Sequence, residues 1–117
     1  MTHGAGDESP LPAHMFLVLL VLNAGPTHGY GIKKAVAERS NGAVELDAGG
    51  MYRLIARLEE RGWASLASAP NADGDARRKY YELTPIGREA LRVEAHRISR
   101  LAMEADVLAL VREAAGG

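Results

Sequence analysis

The run Met15-Phe16-Leu17-Val18-Leu19-Leu20-Val21-Leu22 constrains the fold more than any other feature of the chain. Its eight residues fall well short of the ~20 that a membrane-spanning helix needs. The run reads as part of a helix from about Pro12 to Asn23, with proline near the start, where a helix tolerates it. Such a helix is apolar on every face, so it must be covered on more than one side. No secretory signal is legible before it: residues 1–14 hold no Lys or Arg, and no small-residue cleavage site follows at once. The expectation is a cytoplasmic protein that does not enter a membrane.

What covers this helix follows from the rest of the chain. At 117 residues there is room for one domain, or one domain with an appended element, and none for a two-lobed catalytic cleft. Residues Met1 to Pro10 offer nothing to bury and are expected to be disordered. After the break at Ala24-Gly25-Pro26-Thr27, a second helix is predicted from His28 to Arg39. It buries Tyr30, Ile32, Ala35 and Val36 and closes at Asn41-Gly42. Val44-Glu45-Leu46 suits a short strand. Asp47 is an N-cap for a third helix, Ala48 to Arg61, which stops at Gly62. Its residues Met51, Leu54, Ile55 and Leu58 make one apolar stripe. Strands at Trp63–Ala69 and Arg77–Leu83 flank the turn-rich Pro70-Asn71-Ala72-Asp73-Gly74-Asp75. Thr84-Pro85 then starts a last helix that continues to about Glu113. Three helices followed by a β-hairpin are the winged helix-turn-helix, a mainly α (α+β) architecture used to bind DNA. The division expected is a tail over 1–10, the winged helix-turn-helix over 11–84 and a C-terminal dimerisation helix over 85–117.

Charge alone does not announce a nucleic-acid partner. Fourteen Lys+Arg stand against 15 Asp+Glu, so DNA binding must rest on local charge. Opposite the apolar stripe of the third helix stand Gly49, Gly50, Tyr52, Arg53, Ala56 and Arg57. Arg53 and Arg57 are one turn apart, and an arginine fork grips a guanine edge or a phosphate. The two glycines each cost ~1 kcal/mol relative to alanine in a helix, which points to a close backbone approach. A solvated face, with Glu59 and Glu60 balancing the arginines, is the alternative. Arg77-Arg78-Lys79-Tyr80-Tyr81 sets three cations at the base of the hairpin, suited to backbone phosphates, with one tyrosine turned inward. An edge strand blunted by charge is the competing reading, and Asp73 and Asp75 at the tip oppose DNA contact. Lys33 and Lys34 add charge from the second helix. Trp63 fits the core better than a ligand-stacking role.

Heptad spacing marks the last helix as an association element. Leu91, Ile98 and Ala105 fall at a, Glu94, Leu101 and Leu108 at d, and Ala95, Ala102 and Ala109 at e. Only Glu94 interrupts the apolar a/d series. A homodimer is expected, with Phe16 and Leu20 of the first helix joining Leu91, Ile98, Leu101, Ala102, Ala105 and Leu108. A helix folded back on its own domain is the alternative.

Other chemistry is thinly represented. Without cysteine there is no disulfide, Cys-ligated zinc, Fe–S cluster or thiol nucleophile. His3, His14, His28 and His96 lack a paired ligand spacing. Gly29-Tyr30-Gly31 has no P-loop lysine or preceding strand, and no Ser/His/acid arrangement is visible. No catalytic residue, metal or cofactor is expected.

Three blocks resemble a known family. Asn23-Ala24-Gly25-Pro26-Thr27-His28-Gly29-Tyr30-Gly31-Ile32-Lys33-Lys34 resembles the Gly-Pro-x-His-Gly-Tyr-x-Ile signature of PadR transcriptional regulators of bacteria. Gly49-Gly50-Met51-Tyr52-Arg53-Leu54-Ile55-Ala56-Arg57-Leu58-Glu59 is similar to that family's recognition helix. Arg78-Lys79-Tyr80-Tyr81-Glu82-Leu83-Thr84-Pro85-Ile86-Gly87-Arg88 resembles its wing strand and the start of its final helix. The resemblance, from Leu11 to about Leu91, implies a homodimeric repressor on a pseudo-palindromic DNA operator, relieved in many members by a small molecule. For this chain it implies DNA contacts at Tyr30, Lys33, Gly49, Gly50, Tyr52, Arg53, Arg57, Arg77, Arg78 and Lys79, and a small hydrophobic effector. Gly50 departs from the family's usual Ser or Thr, and Gly31 from a common acidic or polar residue. The final helix has no tryptophan, so an aromatic drug-stacking pore is not expected. The rival function is a winged-helix protein-interaction module without DNA binding, which the net charge favours.

Overall fold

The computed structural model describes residues 10–68 and 78–116. The predicted tail and the hairpin tip at 70–75 therefore lie outside the described residues, apart from Pro10. Five helices are described: α1 (Ala13–Asn23), α2 (Gly29–Arg39), α3 (Ala48–Glu60), α4 (Pro85–Ala102) and α5 (Ala105–Gly116). Three strands, β1 (Thr27–His28), β2 (Ala64–Ala67) and β3 (Tyr80–Leu83), form an antiparallel sheet in the order β1-β3-β2. This is the winged helix-turn-helix of the α+β class.

The apolar run of α1 is covered from several sides. Met15, Val18, Leu19, Val21 and Leu22 are buried beneath α2, α4 and β3, while Phe16, Leu17 and Leu20 are half-buried. From α2 the core receives Ile32 and Val36, and from α3 the whole predicted stripe of Met51, Leu54, Ile55 and Leu58. Trp63 and Tyr81 close it from the wing. The caps are side-chain specific: Asp47 Oδ1 accepts the Gly50 N–H at 2.6 Å and Thr84 Oγ1 accepts the Gly87 N–H at 3.0 Å. Gly62, at φ +75°, turns the chain out of α3 and lets the Trp63 N–H reach the Leu58 carbonyl at 2.9 Å.

Several expectations need correction. Residues 44–46 form no strand, because the Val44 N–H is taken by Ser40 Oγ at 3.0 Å and the segment serves to close α2. The third strand is β1, which pairs Thr27 with Tyr81 and His28 with Tyr80. Tyr30 is 67% exposed rather than buried, since it sits in the first turn of α2, on the side away from the core. Both wing tyrosines are buried, not one. Tyr81 faces the core, whereas Tyr80, on the opposite face, packs edge-on against the His28 ring at 5.3 Å.

The final helix is also interrupted. α4 ends at Ala102, its last turn tightened as the Glu104 N–H bonds the Leu101 carbonyl at 3.1 Å. α5 then opens where the Leu108 N–H bonds the Glu104 carbonyl at 2.9 Å, with Asp106 in its first turn complementing the helix dipole. One heptad register therefore does not run through a single rod from Leu91 to Leu108. Leu91 belongs to the core of its own chain. Glu94, the polar break in that register, is 1% exposed and tied to the Leu11 N–H at 3.1 Å. No residue of α5 is buried, and among the described residues no helix is long and apolar enough to cross a membrane.

Candidate nucleic-acid interface

Because its apolar stripe is buried, α3 must present the opposite face, and Gly49, Tyr52, Arg53, Ala56 and Arg57 are all exposed there. The glycine pair now has a local reason. A methyl group on Gly49 would stand 3.2 Å from Arg53 Nη1, and one on Gly50 would stand 3.0 Å from Asp47 Oδ1. Arg53 thus folds its guanidinium back over a helix start stripped of side chains, next to the capping carboxylate. Arg53 and Arg57 share the rim of a cavity of about 260 Å³ with His14. They lie on the same side of α3, as their spacing predicts.

A second and larger hollow, about 490 Å³, opens on the other side of α3, between the start of α2 and the base of the wing. Tyr30, Tyr52, Arg78 and Lys79 line it, together with His28. Tyr52 is 54% exposed, and its hydroxyl lies against the Gly29 backbone, where an added methyl would come within 3.1 Å of it. Gly29 therefore lets the starts of α2 and α3 meet. Lys33 is exposed one turn further along α2. Burial pushes the Tyr81 phenol above its ordinary pKa, and the Glu59 carboxylate adds to that, so Tyr81 stays a neutral donor beneath the groove.

Of the residues singled out from the sequence, Tyr30, Tyr52, Arg78 and Lys79 come together around one groove, and Gly50, Arg53 and Arg57 around the adjacent cavity. Arg77 lies outside the described residues. His28, a lone histidine in the sequence, caps α2 with its side chain and faces Arg78. The available signal was its place immediately before the helix-opening Gly29, where a side-chain acceptor is wanted.

The residues named for association do not form one surface. Leu91 is internal and Phe16, Leu20 and Leu108 are half-buried. Ile98, Leu101, Ala102 and Ala105 are exposed, and Met103, Val107, Leu110 and Val111 extend the apolar exposure along the chain end. Among the described residues no group of three or more His, Asp or Glu side chains could hold a metal ion.

Comparison with known proteins places this architecture. The profile of the Transcriptional regulator PadR-like family matches residues 18–93. A curated relative, described as an uncharacterized 37.1 kDa protein in transposon TN4556 of Streptomyces fradiae, is 40% identical over 85 residues, 73% of this chain. That match spans only 23% of the relative's length. Among solved structures, a PadR family transcription regulator from Clostridium difficile R20291 aligns with a TM-score of 0.64 at 24% identity, covering 78% of this chain and 95% of its own. The complex structure of hsRosR-S4, from H. salinarum, gives 0.67 at 23% identity, with 96% and 92% covered. A putative transcriptional regulator, TA0346 of Thermoplasma acidophilum, gives 0.60 at 26% identity, with 82% and 90% covered.

Proposed function

The chain belongs to the PadR-like family of transcriptional regulators, DNA-binding proteins rather than enzymes, and from that premise we propose that it is a repressor acting as a homodimer. The observation that carries the proposal is the exposed face of α3, where Arg53 and Arg57 project opposite a fully buried stripe. In this reading α3 enters the major groove of a pseudo-palindromic operator. Arg53 reads base edges, and Arg57 reads or anchors beside it. Tyr30, Lys33, Tyr52, Arg78, Lys79 and Arg77 hold the phosphate backbone, while Gly49 and Gly50 leave the helix start bare. A net charge of −1 is compatible with this, because phosphate neutralisation is local. Exposed Ile98, Leu101 and Met103 on α4 and its end, with Val107, Leu110 and Val111 on α5, supply the surface for a second copy. A small hydrophobic effector would enter between the two copies, and the site of action would be the cytoplasm.

The test is Arg53→Ala. Bidentate arginine–guanine pairs supply ~1–3 kcal/mol of discrimination, so the variant should bind its selected operator roughly five- to 150-fold more weakly. Its affinity for random duplex should stay near the parent's. Equal losses on both duplexes would reduce Arg53 to a phosphate contact and place base reading elsewhere. The net charge supports one other reading, a protein-interaction module; salt-insensitive or absent duplex binding by the parent protein would favour it.

A further inference from the structure

His28 joins the wing to the start of α2. Its backbone lies in β1 opposite Tyr80, and its Nδ1 accepts the Gly31 N–H at 3.1 Å. Tyr80 meets the ring edge-on, and Tyr30 stacks near it with centroids 6.4 Å apart and planes 16° from parallel. The ring is therefore oriented from three directions. From the wing, Arg78 Nη1 stands 2.9 Å from Nε2.

A neutral imidazole carries one N–H and one lone pair, and a guanidinium carries donors alone. With the Nδ1 lone pair committed to Gly31, the proton sits on Nε2 and points at Arg78. The other tautomer would accept from Arg78, but only by turning an Nδ1–H onto the Gly31 N–H. In either tautomer two donors oppose each other at hydrogen-bond distance. An acceptor oxygen lying against both nitrogens takes the Nε2–H and a guanidinium N–H at once. The groove around them, about 490 Å³, is lined also by Lys79 and by the phenols of Tyr30 and Tyr52, and no carboxylate is among its described lining residues. That is the donor set of an oxyanion site.

We propose that His28, held as the Nε2–H tautomer by its capping bond, and Arg78 together clamp one phosphate oxygen of the bound DNA backbone. The clamp rests on the DNA-binding reading and gives it a residue of a different kind. Lysine and arginine contacts release counterions and steepen the salt dependence. A neutral His28 donor adds affinity without adding to that slope. The duplex is favoured as the source of the phosphate because the groove adjoins the exposed face of α3 and shares Tyr52 with it.

The experiment uses the full-length protein and a duplex it has itself selected. In His28→Asn the shorter side chain still caps α2, as asparagine does well, but no longer reaches the oxygen. The expected result is a tenfold to hundredfold loss of duplex affinity with an unchanged salt slope. Arg78→Ala should lose affinity and lower the slope by about one unit per subunit, and the double variant should lose less than the two single losses combined. Nitrogen-15 imidazole spectra of the parent protein should show Nε2–H before DNA is added, and an Nε2–H slowed in exchange afterwards. This arm needs no variant. Inorganic phosphate at matched ionic strength should compete weakly for the same His28 signals and for the duplex together. An Nδ1–H tautomer would overturn the clamp. So would a His28→Asn protein that binds as the parent does, or phosphate that saturates His28 without displacing DNA. A parent protein that binds no duplex at all would instead overturn the DNA reading, and the clamp with it.

Discussion

Gly87→Ala is expected to lower the melting temperature by roughly 5–15 °C, from a single added methyl group. Gly87 lies in the first turn of α4, where a Cβ would sit inside the contact radius of the Trp63 carbonyl oxygen and 2.8 Å from its carbon. Leu83 Cδ1 would stand 2.9 Å away on the other side. The obstacle is backbone and cannot rotate aside. It is also in use: Trp63 O accepts the Thr84 N–H at 3.0 Å, and Thr84 Oγ1 donates to Gly62 O at 2.5 Å. Making room means moving the start of α4 off the corner where α3, β2 and β3 meet. Overpacking of this kind costs ~1–3 kcal/mol and sometimes more, against a gain of ~1 kcal/mol from alanine's helix propensity. The steric cost wins, at ~4–8 °C per kcal/mol in a domain of this size. Thermal unfolding followed by circular dichroism checks it, and a shift under about 3 °C would contradict the packing described.

The second large effect is an inversion of what exposure alone would suggest. Glu94 is 1% exposed and Arg97 is 38% exposed, and they are joined by two hydrogen bonds of 3.0 and 2.5 Å. Glu94 also accepts the Leu11 N–H, which ties the residues before α1 to α4. Glu94→Leu removes the buried charge, lets Arg97 turn to water and strands the Leu11 amide, at about 1–3 kcal/mol. Arg97→Ala leaves the carboxylate buried without that partner, the costlier error. The more exposed residue should therefore be the more damaging one to remove, and Glu94→Leu added to Arg97→Ala should recover stability. Denaturant midpoints of the three variants decide it. If Arg97→Ala proves the milder single change, the pair is a surface contact and the account of Glu94 is wrong.

Legibility in the sequence followed the range of the forces involved. Asp47, Thr84-Pro85 and Gly62 act within one turn, and helix limits read from them agree with the structure to within about a residue. The stripe of α3 was legible because a period of 3.6 residues needs no partner to be seen. β1 was not, since two residues form a strand only because Tyr80 and Tyr81 present an edge more than fifty positions away. The bend between α4 and α5 carries neither glycine nor proline, so nothing local marks it. Glu94 looked like a flaw in an association stripe because its partner amide, Leu11, is 83 positions distant. At the candidate site the residue types were visible, and their grouping was not. Tyr30 and Tyr52 meet Arg78 and Lys79 only once the wing folds onto α2, and the room that Gly49 leaves for Arg53 is a property of packed side chains.

In the proposed complex, two copies of this chain present the α3 face to successive major grooves. Hydroxyl-radical footprinting of the full-length protein, on a duplex it has selected from promoter DNA, decides it. Two protected half-sites related by a two-fold axis are expected, with centres about 34 Å apart. Protection of one site without a symmetry mate, or no protection on any selected duplex, would contradict it.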